Sequence, residues 1–355
     1  MKICFVVDTW AKTKGGAELQ SYLIAKGLKT KGWDVSYITL TPAESRIFHS
    51  YHAPMRFQGH GGLARYSRAL SLLRILRMVD PEIVFLTYAG SLSGFATAYG
   101  IIYRKKIAFR AASVLDADLA LGGGSSVHGR GLPARMLHLL TVRKCHALVV
   151  NAQYIEKEFH KHLPSKNIWT IPNGLEIEPL HKGTASHVLW IGRFDKVKGP
   201  SVYLRLAQEL PHIRFLMYGW GPLRDQLASE AKRILNLSLM DKIIGETKRR
   251  AFRNSFAFIN TSIAEGFPNT LLEAGMHGVP YVSFVDPDEI ICKYRLGFHV
   301  RSFRELVEKT RLLATDSRLR NETGSNIRSY VEGNHNIENT VSAYDVLLRS
   351  LLRDI

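Results

Sequence analysis

Cysteine is scarce in this sequence, with three residues, Cys4, Cys145 and Cys292, among 355. An odd number so widely spread fits no disulfide framework, and none of the spacings is that of a metal-binding motif, so burial in a reducing compartment is expected for all three. Also missing is an apolar run of about eighteen residues, the length of a membrane span, and a basic-apolar-small leader at Met1. The expectation is a cytosolic protein. Acidic residues are in short supply, 31 against 48 lysines and arginines, for a net charge of +17. The shortage is uneven: residues 1–170 hold 23 basic and 10 acidic side chains, residues 171–355 hold 25 and 21. The basic residues are dispersed and no recognition motif accompanies them, which argues against a nucleic-acid partner. An anionic membrane surface or a pyrophosphate-linked lipid accounts better for the bias, with plain solubilising charge as the alternative.

The dinucleotide fingerprint is absent too. The strand Ile3 to Val7 ends at Asp8, and a loop through Lys12 and Lys14 reaches Gly15 and Gly16 without the G-x-G-x-x-G spacing. The next strand, Val35 to Leu40, closes without the acid that would hold a ribose, which argues against an NAD site. What remains is a strand-loop-helix junction, with Leu19, Leu23, Ile24 and Leu28 at helical spacing after Ala17. Backbone amides and helix dipole converge on an anion at such a place.

The length and a 46% hydrophobic content allow two cores, and strand and helix patterns alternate in both halves, giving two α/β domains. The expected division is 1–172, 173–336 and a final amphipathic segment, 337–355. Pro172, Asn173 and Gly174 form a turn read as the interdomain hinge. In the first domain further strands are expected at Pro81 to Leu86, Lys106 to Ala111 and Ala147 to Asn151. Gly59 to Val79 reads as a loop and helix whose Arg65, Arg68, Arg74 and Arg77 do not share one clean face, which favours packing on the sheet over lying on a membrane. The loop Leu121 to Leu132 carries five glycines and is too small and polar to be core. In the second domain the strands expected are Val188 to Ile191, Phe215 to Tyr218, Phe256 to Asn260 and Pro280 to Phe284.

The richest segment is Ala264 to Pro280, AEGFPNTLLEAGMHGVP, where Glu265 and Glu273 have seven residues between them around a helix start. Pro268 suits a first helical position, and Asn269, Thr270 and Leu271 then offer backbone N–H groups to a phosphate in front of the helix. Glu265 would lie beside that phosphate. Glu273, about one turn further in, could accept two sugar hydroxyls as a fork. The alternative is a capped amphipathic helix with solvated glutamates. Arg193, ending a strand, and Lys198, starting the following helix, can aim positive charge at a diphosphate, with structural ion pairing as the alternative.

These segments form an ordered set: GGAE at Gly15 to Glu18, IPNGLE at Ile171 to Glu176, IGRFDKVKG at Ile191 to Gly199, YGWGPLRDQL at Tyr218 to Leu227, and the paired glutamates. The set resembles family 4 of the retaining glycosyltransferases, also called glycosyl transferases group 1, over most of the chain. The resemblance implies the GT-B fold: two Rossmann-like doubly wound domains facing a cleft, acceptor-binding first and nucleotide-sugar-binding second, with the last helix crossing back to the first domain. It implies a hexosyl- or N-acetylhexosaminyltransferase using a nucleotide-diphosphate sugar, UDP-linked or otherwise, and a saccharide acceptor, lipid-linked in bacterial surface polysaccharide synthesis such as lipopolysaccharide. The enzyme would be peripheral at the inner face of the plasma membrane.

By resemblance, Gly15 and Gly16 serve the distal phosphate, Glu265 the donor sugar and Glu273 the ribose, while Gly266, Phe267, Pro268, Asn269, Thr270 and Leu271 shape the phosphate site. Arg193 and Lys198 stabilise the leaving diphosphate, so Glu265, Arg193 and Lys198 are the expected catalytic residues. No cofactor is expected, and no metal ion held by an Asp-x-Asp motif. Members of the family often carry a histidine after the fourth or fifth strand. The corresponding stretch here, FRAASVLDAD from Phe109 to Asp118, has none. Asp116, Asp118 and His128 are candidates to face the acceptor, the two acids being equally consistent with a helix N-terminal turn. Two other functions stay open: a GT-B sugar-nucleotide epimerase or hydrolase, and a nonenzymatic nucleotide-sugar-binding protein.

Overall fold

The structure, a computed structural model, describes residues 1–7, 15–40, 47–54, 62–87, 90–121, 131–181 and 183–353, with backbone alone at 62–66 and 118–121. The chain divides into two compact units, Met1–Gly174 with Ile337–Ile355, and Leu175–Asn336.

The first unit is built on a sheet of β1 (Lys2–Val7), β2 (Asp34–Thr39), β3 (His49–His52), β4 (Ile83–Leu86), β5 (Lys106–Ala111), β6 (Ala147–Val150) and β7 (Ile168–Thr170). Its order is β3-β2-β1-β4-β5-β6-β7 and every pairing is parallel. Parallel neighbours need crossover helices, which cover both faces, so the central strands are runs of buried side chains rather than alternating ones. All four residues of β4 and of β6 are buried.

The helix Ile337–Arg353 completes this core. Tyr344, Leu347, Leu348 and Leu351 pack with Phe5, Tyr37 and Phe85, and Trp33 Nε1 donates to Asp345 Oδ1 at 2.7 Å. The helix Gly16–Thr30 approaches so closely at Gly27 that a Cβ there would lie 2.3 Å from a methyl of Val341. The Pro172 to Gly174 turn is pinned to the same unit. Gln20 donates to the Gly174 carbonyl at 2.8 Å and accepts from the Gly174 amide at 3.0 Å, while the buried Arg110 guanidinium donates to Asn173 Oδ1 at 2.6 Å.

The second unit repeats the theme with β8 (His187–Arg193), β9 (Phe215–Trp220), β10 (Leu237–Met240), β11 (Ser255–Asn260), β12 (Tyr281–Ser283) and β13 (Gly297–His299). They are parallel in the order β10-β9-β8-β11-β12-β13, the doubly wound order of nucleotide-binding sheets. Its core gathers Trp190, Phe194, Tyr203, Phe215, Met217 and Ile259 among others. Where the chain enters and leaves this unit, the Leu175 amide donates to the His335 carbonyl at 2.8 Å.

Several local expectations need correction. The short strands β3, β10 and β13 were not foreseen. The arginine-bearing helix spans Gly62–Val79. Pro268, with φ −65° and ψ 121°, stands just before the helix Asn269–Met276 rather than inside it. Lys198 precedes the helix Pro200–Glu209, with Gly199 between. Cys4 and Cys145 are buried as expected, but Cys292 is exposed. No helix among the described residues is long and apolar enough to cross a membrane.

Candidate functional site

In an open α/β sheet, ligands bind beyond the carboxyl ends of the strands where the winding reverses. In the second unit that point lies between β8 and β11; Arg193 ends β8, and the loops leaving these two strands carry Lys198 and Glu265. A polar seam joins the loops. Trp190 Nε1 donates to Thr261 Oγ1 at 2.9 Å, Thr261 Oγ1 donates to the Lys198 carbonyl at 2.7 Å, and the Ile263 amide donates to the Val197 carbonyl at 2.9 Å. Gly199 makes this approach possible: its φ is +58°, and a Cβ there would lie 2.5 Å from the Thr261 carbonyl oxygen.

The seam brings Lys198 Nζ onto Glu265 Oε1 in a close ion pair. The same oxygen accepts from Ser262 Oγ at 2.6 Å. Glu265 keeps only 13% of its side-chain surface exposed, enough for a ligand's hydroxyls to reach it while bulk water is largely excluded. Arg193 behaves differently. It is more than half exposed and pairs with Asp195, two residues on, whose other oxygen accepts the Lys198 amide at 3.0 Å. Asp195 therefore orders the loop between the two cationic residues, a role not assigned to it from the sequence.

Below the helix Asn269–Met276, Phe267 is buried against the His335 ring, with centroids 4.8 Å apart. Of the three amides expected to face an anion, that of Leu271 donates to the Pro268 carbonyl at 3.1 Å. That amide is therefore used within the first turn rather than offered to an anion. The Leu271 carbonyl accepts the Tyr281 hydroxyl, which fixes the first turn of the helix to β12. Gly266 leads into this turn from Glu265. Glu273, one turn in, meets Lys248 Nζ with both oxygens, at 2.7 and 2.6 Å. Lys248 lies on the helix Gly245–Arg253, a segment to which the sequence reading assigned no role. Both glutamates of the motif thus carry a lysine partner, and both lysines come from segments far away in sequence.

Two histidines packed in this unit stay neutral. Burial pushes His277 down to about 4, with Arg253 and Arg328 adding to the shift. Burial likewise lowers His187 to about 4, against the opposing hydrogen bond to the Ala251 carbonyl at 3.0 Å.

The first unit holds the remaining candidates. Gly15 caps the helix Gly16–Thr30 and its carbonyl accepts the Leu19 amide at 3.1 Å. Asp116 Oδ2 accepts the amides of Ala112 and Ser113 at 3.0 and 3.1 Å. That carboxylate caps the start of the helix Val114–Leu121, which is the alternative weighed against an acceptor role. Asp118 lies on the same helix, described by its backbone alone, and His128 lies outside the described residues.

The sequence does contain Asp-x-Asp triplets, Asp116-Ala117-Asp118 and Asp286-Pro287-Asp288, so their absence is no ground for expecting no metal. Asp286 stands with Cys292 and His299, their ligand atoms within 4.8 Å of one another. Its two oxygens accept the amides of Ile291 and Cys292 at 2.8 and 3.2 Å. Partial desolvation and the Asp286 carboxylate raise the Cys292 thiol above its ordinary value. Asp286 follows β12, Cys292 is on the short helix Ile290–Lys293, and His299 ends β13.

Two family models match the chain in succession, Glycosyltransferase Family 4 over residues 14–179 and Glycosyl transferases group 1 over residues 185–316. The chain belongs to this glycosyltransferase family. Its fold is GT-B, as its solved neighbours show. Anabaena HepE in complex with UDP-glucose superposes with a TM-score of 0.79 at 15% identity, covering 99% of this chain and all of that one. WaaG, described as a glycosyltransferase involved in lipopolysaccharide biosynthesis, gives 0.76 at 15% identity, covering 97% of this chain and 99% of that one. Among relatives by sequence, the alpha-galactosylglucosyldiacylglycerol synthase of Streptococcus pneumoniae is 27% identical over 175 residues, 42% of this chain and 46% of that protein. The chain spans less than half the length of the first curated relatives it matches.

Proposed function

We propose that the chain transfers a hexose or N-acetylhexosamine from a nucleotide-diphosphate sugar to a saccharide acceptor, with retention of configuration and without a metal ion. The observation that carries this reading is the Lys198–Glu265 contact at the switch point of the second sheet, with Glu273 held by Lys248 on the helix that follows. Lys198 and Arg193 offer charge to a diphosphate, and Glu265, beside Lys198, is placed to accept hydroxyls of the sugar it leaves behind. Glu273 accepts the ribose, and the Asn269 and Thr270 amides belong to the helix start offered to the phosphates. Charge builds on the diphosphate as the glycosidic bond breaks, so Lys198 and Arg193 contribute most at that moment. Neither glutamate is placed as a nucleophile or as a water-activating base, so the retained configuration rests on family membership.

The acceptor we propose is lipid-linked, in bacterial surface polysaccharide synthesis, engaged at an anionic membrane surface on the cytoplasmic side. Supporting this are the basic first half of the chain and exposed apolar residues on the first unit, Met78, Ile101, Ile102 and Tyr103, where Arg77 lies over the Tyr103 ring at 5.7 Å. A UDP-glucose complex among the structural neighbours and a relative named for a diacylglycerol product fit the same reading.

The test is a thermal-shift panel of UDP-, GDP- and ADP-sugars followed by proton NMR of the product. A ligand at a hundred times its dissociation constant stabilises the fold by about 2.7 kcal/mol. An α-linked donor should give an α-linked product. A β product would remove the retaining mechanism, and no shift with any nucleotide diphosphate would remove the donor site.

A further inference from the structure

Among the described residues, Asp286, Cys292 and His299 bring an oxygen, a sulfur and a nitrogen ligand atom within 4.8 Å of one another. Each is held by a different part of the fold. The Asp286 carboxylate is oriented by the backbone amides of Ile291 and Cys292, one on each oxygen, and each oxygen keeps a lone pair. Cys292 is carried by the helix Ile290–Lys293. His299 stands in register with Ser283 of β12, a pairing closed by the Val300 amide on the Ser283 carbonyl at 2.9 Å. Between the first two ligands, Asp288 and Glu289 are consecutive residues with φ of 53° and 59°, a left-handed conformation that non-glycine residues hold where their surroundings impose it.

We propose that Asp286, Cys292 and His299 form a structural zinc site, completed by water, that ties the loop after β12, the helix Ile290–Lys293 and the end of β13 into one corner. Carboxylate, thiolate and imidazole are the ligand types zinc takes, and the first two carry two negative charges against its two positive ones. In a tetrahedral zinc site neighbouring ligand atoms lie about 3.3 to 3.5 Å apart, which leaves the widest gap here at most about 1.5 Å to close. Small torsional adjustments of the Cys292 and His299 side chains supply that. Cys292 is exposed, unlike Cys4 and Cys145, so water can reach the fourth position. On binding, the Cys292 thiol releases its proton to solvent and His299 binds through a neutral ring nitrogen. The site is independent of the transferase reading and takes no part in the transfer.

The experiment titrates cobalt(II) and then zinc into the full chain, stripped of metal with a chelator and kept under a non-thiol reductant, and reads absorption. The proteins are the wild type, Cys292→Ser, His299→Gln and Asp286→Asn, each checked for an intact unfolding transition. One equivalent of cobalt should give the intense visible bands of a tetrahedral centre and a thiolate-to-cobalt charge-transfer band, all displaced by zinc. Cys292→Ser should lose the charge-transfer band, and His299→Gln and Asp286→Asn should each weaken binding by about tenfold or more. In the wild type, zinc should also slow alkylation of Cys292 by iodoacetamide about tenfold or more, read by peptide mass, which tests the site without any substitution. A charge-transfer band that is missing at saturating cobalt, or that survives Cys292→Ser, overturns the site. Affinity unchanged in either His299→Gln or Asp286→Asn removes that ligand and the three-ligand site with it. An alkylation rate that zinc leaves untouched reduces the group to a hydrogen-bonded cap and overturns the proposal as well.

Discussion

Lys198 and Glu265 form an ion pair, so a diphosphate must compete with a carboxylate for the lysine. Glu265→Gln keeps the shape and an acceptor atom but replaces a charge-assisted bond with a neutral one. The difference between the two kinds of bond is roughly 1 kcal/mol, so free nucleoside diphosphate should bind about fivefold tighter to this variant. The intact nucleotide sugar should lose the carboxylate's bonds to its hydroxyls, roughly 1.5 to 3 kcal/mol, which outweighs that gain. Its affinity and its turnover should therefore fall while the diphosphate's affinity rises.

Lys198→Met should do the reverse to the diphosphate. It loses a charge-assisted contact, about ten- to a hundredfold in affinity, and leaves Glu265, which also accepts from Ser262, facing the phosphate without that lysine. The double variant should then bind diphosphate better than Lys198→Met alone. Calorimetry with diphosphate and donor on the four proteins closes the cycle. Weakening of diphosphate by Glu265→Gln to the same extent as donor would refute the sugar assignment. Strict additivity of the two changes would refute the coupling.

The neutral histidines make the second unit acid-sensitive. His277 and His187 have folded values near 4 against 6.5 when unfolded, so the unfolded chain binds their protons first. Stability is full above about pH 6.5 and is lost as pH falls toward 4, by about 2 kcal/mol for each residue at pH 5. Urea unfolding at pH 7 and 5 should show this, and His277→Gln should flatten the profile; a wild-type profile already flat over that interval contradicts the burial cause. In the first unit, Gly27→Ala gains at most about 1 kcal/mol of helix propensity but drives a methyl into Val341, at a cost of about 1 to 3 kcal/mol. The net change should be destabilising and should be relieved in Gly27→Ala/Val341→Ala, and equal stability of wild type and Gly27→Ala would show that the two helices separate readily.

The buried strands were legible because parallel sheets covered on both faces leave uninterrupted apolar runs, as in Ile83–Leu86 and Ala147–Val150. The strands missed were HSYH, LSLM and GFH, short edge segments whose pattern does not depart from that of a loop. Motif spacing located Glu265, Glu273 and Lys198, but not who holds whom. Lys248 and Glu273 are joined by the fold across 25 residues, and nothing local to Lys248 distinguishes it from the arginines beside it. Asp116 was legible only as two alternatives, since a carboxylate two residues into a helix reads alike whether it caps or binds.

The return of residues 337–355 to the first unit has a temporal consequence. A ribosome delivers Phe5, Tyr37 and Phe85 long before Tyr344, Leu347, Leu348 and Leu351, so the first unit's core stays open through the synthesis of everything between. Residues 175–336 form one uninterrupted segment whose two ends meet at the Leu175 to His335 hydrogen bond, and its contacts are complete as soon as it emerges. The half of the molecule made second is therefore the first able to finish folding. Chaperones meeting the nascent chain would find exposed apolar surface at its beginning, and a truncation that removes only the last turns would leave that surface uncovered for good.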